Sequence, residues 1–265
     1  MRTMNGLEYE VQGEGEPVLL VHGSILADAY LPFLKESALA NYRLILYHRR
    51  GFSGSQRHIG PFSIEEQAQD ALSLLRHLGV GSAHVFGHST GGSIALQLAI
   101  DAPDAVHSLV LEEPTLFMVP SAGAVFAAMA PVVEKYASGD PVGAIHSFMD
   151  GVLGPGWPQY VERNIPGGIA QAEADAATLF EVELPSLQNW QFDETRAVKI
   201  SQPLLYVLGG KSEAIAQEGK DLIREWIPQS EEVLVEGLGH ALHIEDPGAV
   251  IPGISAFLAR HPIQP

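Results

Sequence analysis

The sequence predicts an α/β protein in which helices cover both faces of a mostly parallel sheet. Short apolar runs alternate with segments that repeat apolar residues at helical spacing. Strands that are apolar throughout are typical of parallel sheets buried on both faces. Over residues 116–196 this alternation gives way to an alanine-rich, mostly helical stretch. We therefore expect a core formed by residues 1–115 and 197–265, with residues 116–196 inserted as a helical cap.

Each element of this prediction has its own signal. Ser63 and Glu66 have capping-box spacing and begin a helix that Gly79 ends. Asp246 and Pro247 suit the N-cap and first position of the last helix. Pro103 follows a helix that starts near residue 90, and another helix covers about 214–227. The predicted strands cover residues 7–11, 18–21, 43–47, 83–86, 109–111, 203–208 and 233–235.

The composition limits the chemistry and the partners of the chain. A formal net charge of −17 does not favour binding to nucleic acid or to an anionic membrane. The absence of cysteine excludes disulfides and thiolate catalysis. Residues 1–10 show no signal-peptide pattern, so we expect a cytoplasmic protein. The apolar stretch 116–133 contains two prolines, and we expect a helix over an apolar site there and no membrane span. The sequence leaves a homodimer open.

One short segment predicts a nucleophile. Residues 83–86 form an apolar strand, Ser89 lies between Gly87 and Gly91 in a Gly-x-Ser-x-Gly pentad, and a helical pattern follows Gly92. A sharp turn between strand and helix holds such a serine in a strained conformation, and larger residues at the glycine positions would clash. The helix N-terminus then points its amides at the same place. This context favours a nucleophile elbow over a chance match.

With this pentad the chain resembles the α/β-hydrolase family, and the resemblance covers nearly all of the sequence. It also depends on the segments 21–24 (Val-His-Gly-Ser), 47–55 (Tyr-His-Arg-Arg-Gly-Phe-Ser-Gly-Ser) and 237–240 (Gly-Leu-Gly-His), which occur in the family's order. His48 stands where the family more often has aspartate. The resemblance implies an α/β-hydrolase fold and an oxyanion hole formed by the backbone amides of Ser24 and Thr90. We expect no cofactor and no metal.

The general base is predicted to be His240. Among eleven histidines, His240 follows the last predicted strand on a glycine-flanked loop. The chain order serine, acid, histidine is that of the family. His88 lies inside the pentad, where its side chain must point away from Ser89, and His243 falls at the wrong point of the family's motif.

Two residues compete for the acid that orients His240. The family usually places an aspartate after the strand at 203–208, but this chain offers Glu213 there and no aspartate. In a minority of the family, including zearalenone lactonases, the acid lies at the end of the strand before the cap. This chain resembles that group, because it has Glu113 at that place. A carboxylate at the end of a buried strand needs a partner, whereas Glu213 is explained by its place in the first turn of a helix. We favour Glu113 and retain Glu213 as the alternative.

These residues predict a serine hydrolase that cleaves an ester or lactone bond of a small to medium apolar substrate through an acyl-enzyme. Carbon–carbon bond hydrolases and hydroxynitrile lyases use the same arrangement, and some hydrolase-like receptors retain it with little turnover. Because a fold does not determine a reaction, the sequence leaves these alternatives open.

Overall fold

The computed structural model describes residues 1–58 and 60–264, and its centre is a single sheet. The strands are β1 (Arg2–Met4), β2 (Leu7–Gln12), β3 (Glu16–Val21), β4 (Tyr42–Tyr47), β5 (Ala83–His88), β6 (Val106–Glu112), β7 (Leu204–Gly209) and β8 (Glu231–Val235). Their order is β1-β2-β4-β3-β5-β6-β7-β8. β2 pairs antiparallel with β1 and β4, and the remaining pairs are parallel. The predicted fold class, a mostly parallel sheet, is confirmed.

Helices cover both faces of this sheet. They are α1 (Ile64–His77), α2 (Thr90–Asp101), α3 (Ala122–Ala137), α4 (Pro141–Leu153), α5 (Trp157–Asn164), α6 (Gly168–Ala174), α7 (Leu184–Asn189), α8 (Glu194–Ala197), α9 (Ala214–Trp226), α10 (Leu242–Glu245) and α11 (Pro247–Arg260). Side chains of a strand alternate between faces. Leu19 and Val21 of β3 accordingly join the apolar cluster of α1, α2 and α9, whereas Val18 and Leu20 join the cluster of α11.

The caps predicted from the sequence are present. Ser63 Oγ accepts a hydrogen bond from the Glu66 amide, and the Glu66 carboxylate accepts one from the Ser63 amide. Asp246 accepts from the amide of Ala249 at the start of α11. Each cap satisfies amides that the first helical turn leaves without a partner.

Helices α3 to α8 lie between β6 and β7, and all but the last residue of α8 fall within residues 116–196, the segment that the sequence sets apart. Residues of α3 to α6 form a third apolar cluster, which also includes Ile25 from the loop after β3 and Ile244 of α10. The last part of the insertion, including Leu187 and Trp190, packs instead into the cluster of α1 and α2. Within residues 1–58 and 60–264, none of the helices has the length and apolar character needed to cross a membrane.

The helix predicted over residues 116–133 differs from α3 at its start. The chain is helical there only from Ala122, and Pro131 lies inside α3. Pro131 is exposed, so water can satisfy the carbonyl that its missing amide leaves without a partner. The short edge strand β1 was not predicted. Its signal is the pair Asn5-Gly6, which forms the two-residue hairpin turn to β2 with both φ angles positive.

The turn from β5 into α2 has no room for side chains at its glycines. A Cβ atom on Gly91 would lie 2.6 Å from the carbonyl oxygen of His22, and one on Gly92 would lie 2.7 Å from Cβ of Pro114. Helix α2 therefore approaches the backbones of β3 and β6 closely, and this approach brings the ends of the three strands together.

This geometry predicts opposite effects of two Gly→Ala substitutions. Gly91→Ala forces a methyl group against strand backbone and should lower the free energy of unfolding by about 1–3 kcal/mol. Gly123→Ala, inside α3 with open space around it, should raise that free energy by about 0.5–1 kcal/mol because alanine favours a helix. Urea denaturation of both variants measures the difference. Equal stability of the two variants would contradict the close approach described here.

Candidate active site

Ser89 lies at the sharp turn between β5 and α2. It is the N-cap of α2 with φ 52° and ψ −120°, a strained conformation for a residue with a side chain. Its amide donates to the carbonyl of Glu112 at 3.0 Å, and its carbonyl accepts from the amide of Thr115 at 3.1 Å. The turn is thus held by the segment that follows β6, the strand next to β5.

Glu113 follows β6 in a second strained turn, with φ 47°. Its side chain is 1% exposed and accepts three hydrogen bonds. Oε1 accepts from the Gly209 amide at 2.7 Å and from Ser212 Oγ at 2.5 Å, and Oε2 lies 2.7 Å from His240 Nδ1. The neighbouring Glu112 points to the other side, toward Tyr30 and His243, as strand alternation predicts.

The structure therefore brings His240 to Glu113 and not to Glu213. Glu213 is exposed at the N-cap of α9 and makes no side-chain hydrogen bond to the parts of the chain that the structure describes. A carboxylate on Nδ1 requires the proton at Nδ1 and leaves Nε2 of His240 as an acceptor. This is the tautomer that a general base needs.

The hydroxyl of Ser89 does not bond His240 in this structure. Ser89 Oγ lies 3.2 Å from Thr115 Oγ1, and among the described residues no hydrogen bond joins Ser89 to His240. Both side chains nevertheless face one cavity. Catalytic hydrogen bonds are often long or unformed without a ligand, so this geometry is compatible with a nucleophile and base pair.

Ser24 and Thr90, the predicted oxyanion residues, lie side by side on the same cavity. Their hydroxyl oxygens are 3.0 Å apart. Ser24 follows β3, and Thr90 is the first residue of α2. Neither backbone amide donates a hydrogen bond within residues 1–58 and 60–264. Two free donors at the end of the sheet, one of them at a helix N-terminus, form a suitable place for developing negative charge.

The cavity that these groups face is mainly apolar. Its volume is about 180 Å³. Its polar residues are Ser24, Ser89, Thr90, Glu113, Thr115, Glu213 and His240. The apolar remainder comes largely from the insertion and includes Phe117, Val125, Met129 and Phe148.

His88 supports the loop that carries His240. Its Nε2 lies 2.9 Å from the carbonyl oxygen of His240, so Nε2 carries the proton and donates it to that carbonyl. Burial, together with the neighbouring His243 and His240, holds the pKa of His88 well below its usual range. His88 is therefore neutral at neutral pH.

Sequence reasoning missed several residues of this site. Thr115 and Ser212 bond Ser89 and Glu113 through hydroxyl groups, for which the sequence gives no distinctive signal. Arg49 lies in the segment 47–55 that carries the family resemblance, but its sequence position alone indicates no role at the site. It is 1% exposed and forms an ion pair with Glu183, a residue of the insertion without a distinctive sequence signal.

Known proteins are similar to this chain in sequence and in fold. The family model described as the alpha/beta hydrolase fold matches residues 16–140. The structure of a thermophilic esterase from Thermogutta terrifontis, solved with malate bound, has a TM-score of 0.79 and 26% sequence identity, and the match covers 97% of this chain and 94% of that chain. The chain has the α/β-hydrolase fold and is similar to members of the α/β-hydrolase family, as the sequence motifs predict.

Two curated relatives are similar to this chain, one over most of its length at low identity and one over a shorter part at higher identity. Esterase YbfF of Escherichia coli strain K12 is 24% identical over 253 residues, which are 93% of this chain and 94% of the relative. A protein of Azorhizobium caulinodans named as a candidate carbamate hydrolase, RutD, is 41% identical over 105 residues, 40% of each chain. The chain spans only 40–43% of the length of this and two further relatives of the same name. The names of these relatives share one activity class, hydrolysis.

The lowered pKa of His88 predicts a pH-dependent stability. The unfolded chain binds a proton at this residue near pH 6.5, whereas the folded chain does so only at much lower pH. Stability is therefore lost as pH falls below about 6.5, because the unfolded state binds more protons. The variant His88→Gln can still donate to the His240 carbonyl. Between pH 7.5 and 5.5 its free energy of unfolding should fall by about 1 kcal/mol less than that of the wild type. Urea titrations at both pH values measure this, and identical losses would contradict a neutral buried His88.

Proposed function

We propose that the protein is a serine hydrolase that cleaves an ester or lactone bond through an acyl-enzyme. The hydrogen bond of 2.7 Å between Glu113 and His240, next to Ser89 in one cavity, carries the proposal. A serine hydroxyl is a weak nucleophile, and it needs a base that a third group orients. Glu113 is buried and anchored by Gly209 and Ser212, so it can hold the imidazole in a single orientation.

The proposed reaction begins when a substrate carbonyl displaces the Ser89 hydroxyl from Thr115 toward His240. Nε2 of His240 takes the proton as Ser89 Oγ attacks the carbonyl carbon, and Glu113 stabilises the imidazolium. The amides of Ser24 and Thr90 bind the oxyanion of the tetrahedral intermediate. His240 then protonates the leaving alcohol, and a water molecule activated by the same residue hydrolyses the ester on Ser89.

The substrate is proposed to be small to medium in size and apolar near the scissile bond. A cavity of about 180 Å³ accommodates a short acyl group or a small ring. We assign residues 116–196 as a cap, because their side chains supply much of the apolar wall opposite the strand ends. The match to an esterase over most of both chains supports an ester as the bond that is cleaved.

Replacement of the nucleophile tests the proposal. Ser89→Ala should lower the kcat for short-chain p-nitrophenyl esters by roughly 10⁴-fold or more, since only the oxyanion hole and binding remain. A fluorophosphonate probe should add once to the wild type and not at all to Ser89→Ala, as intact-mass spectrometry detects. Ser255→Ala, on α11 and outside the cavity, serves as the control with normal labelling. A folded wild type without ester or lactone turnover and without an adduct would refute the proposal.

The choice between the two acids gives a second test. Glu113→Gln keeps the shape of the side chain but removes the charge that stabilises the imidazolium, so kcat should fall by roughly 10³–10⁴-fold. Glu213→Gln changes an exposed side chain without a hydrogen bond to His240 and should change kcat by less than about threefold. Steady-state kinetics of the two variants, each checked by circular dichroism, decide the assignment. Small and equal losses would remove Glu113 from the proposed triad.

A further inference from the structure

A buried arginine lies behind the proposed oxyanion hole. Arg49 follows β4, is 1% exposed, and has no role in the reaction described above. Its guanidinium donates to Gln67 Oε1 at 2.7 Å and to the carbonyl oxygen of Gly23 at 2.8 Å. It also lies 4.6 Å from the ring centre of Phe52, so its planar group is held on several sides. A charge is rarely buried to this extent unless several partners hold it.

The carbonyl that Arg49 holds belongs to the peptide unit of the first oxyanion amide. Gly23 C=O and Ser24 N–H share one peptide plane, and none of the described peptide bonds is cis. In a trans peptide these two groups point in opposite directions. A donor that holds the Gly23 carbonyl on the protein side therefore directs the Ser24 N–H away from it, toward the cavity that Ser24 lines.

A histidine holds the same carbonyl. His22 Nε2 accepts from the Arg49 amide at 2.9 Å, so the ring carries its proton on Nδ1, which donates to the Gly23 carbonyl at 2.7 Å. Burial and the adjacent guanidinium hold the pKa of His22 well below its usual range, so the ring stays neutral at neutral pH. Two donors on one carbonyl also polarise the peptide and strengthen its N–H as a donor.

The counter-ion of Arg49 holds the second oxyanion residue. Glu183 Oε2 lies 2.5 Å from Arg49 Nη2, and both side chains are 1% exposed. Glu183 Oε1 accepts a hydrogen bond of 3.4 Å from the Thr90 hydroxyl, which in turn lies 3.0 Å from Ser24 Oγ. The contacts form a closed ring that runs through Arg49, Gly23, Ser24, Thr90 and Glu183. The ring contains both predicted oxyanion residues.

Glu183 comes from the inserted helices and not from the sheet. It is the last residue of a π-helical turn, Thr178–Glu183, a rare geometry that is often found at functional sites. The same segment is anchored to the loop after β4, because the Thr178 hydroxyl donates to the Gly51 carbonyl at 2.7 Å and Asp175 accepts from the Ser53 amide at 2.8 Å. The insertion is therefore joined to the oxyanion region by buried polar contacts as well as by apolar packing.

We propose that the buried ion pair of Arg49 and Glu183 positions the two oxyanion amides, so that correct docking of the inserted helices is a condition for transition-state stabilisation. Arg49 acts through the Gly23–Ser24 peptide, and Glu183 acts through the Thr90 side chain. Both are positioning residues that do not touch the substrate. This inference rests on the proposed serine-hydrolase function, since it assigns the ion pair a task in the same reaction.

The test compares two neighbouring arginines. Arg49→Met removes the donor to the Gly23 carbonyl. Arg49→Lys keeps the charge opposite Glu183 but loses the planar fork that donates to Gln67 and Gly23 at once. Arg50→Met is the matched control, because Arg50 forms its ion pair with Asp70 of α1 and, among the described residues, has no hydrogen bond or ion pair with Gly23 or Glu183. Kinetics on a p-nitrophenyl ester are combined with binding of an aryl trifluoromethyl ketone, whose serine adduct carries an oxyanion.

In both Arg49 variants kcat should fall by about 10–100-fold, less than the roughly 10²–10³-fold loss for complete removal of an oxyanion donor. KM should change by less than about threefold, because the ground-state carbonyl needs these amides less than the oxyanion does. The affinity for the trifluoromethyl ketone should fall in proportion to kcat/KM, with Arg49→Lys less affected than Arg49→Met. Arg50→Met should keep wild-type values. If Arg49 had a purely structural role, its replacement would not weaken ketone binding in proportion to kcat/KM while leaving KM nearly unchanged.

The other outcomes separate the two proposals. A folded wild type that turns over neither an ester nor a lactone and forms no fluorophosphonate adduct would refute the serine-hydrolase function itself. An active wild type with a folded Arg49 variant of unchanged kcat and ketone affinity would overturn only the positioning role. If Arg49→Met does not fold, Arg49→Lys and Glu183→Gln test the positioning role through the same changes in kcat, KM and ketone affinity relative to the wild type. If none of these three variants folds, the ion pair is required for folding and the positioning proposal is overturned.

Discussion

Two strained turns at the ends of neighbouring strands hold each other in place, and the site depends on that mutual support. Ser89 after β5 and Glu113 after β6 both have positive φ angles. The Ser89 amide bonds the carbonyl that precedes Glu113, and the Thr115 amide bonds the Ser89 carbonyl. Strain of this kind persists only where the surroundings determine it. Here the parallel pairing of β5 with β6 and the close approach of α2 through Gly91 provide that restraint.

The position of the proposed acid follows from the same arrangement. After β7, where the family usually has an aspartate, this chain has Ser212 and Glu213. Ser212 donates to the Glu113 carboxylate, so that the turn after β6 supplies the carboxylate that bonds His240, while β7 and the loop after it supply two donors to that carboxylate. The inserted helices add a further contribution, since Glu183 links them to the residues beneath Ser24 and Thr90.

Much of this could be predicted from the sequence, and what could not has physical causes. Alternating strands and helices, the capping box at Ser63 and the glycines around Ser89 are local signals, and they predicted the sheet, the helices and the elbow. The choice of Glu113 over Glu213 depended on how strands pair, and the sequence could only favour it. Arg49, Glu183 and Thr115 act through contacts between distant segments, which no local pattern records. The short strand β1 did have a local signal, the Asn5-Gly6 turn, which was missed.

The central claim is that Ser89, His240 and the amides of Ser24 and Thr90 converge on one reacting carbon. The most direct measurement is a crystal structure of the protein after reaction with an alkyl fluorophosphonate, which mimics the tetrahedral intermediate. We expect phosphorus bonded to Ser89 Oγ, its P–O oxygen within hydrogen-bond distance of both amides, and His240 Nε2 near another substituent oxygen. A phosphonate on Ser89 whose oxygen points away from Ser24 and Thr90, or an adduct on a different residue, would contradict it.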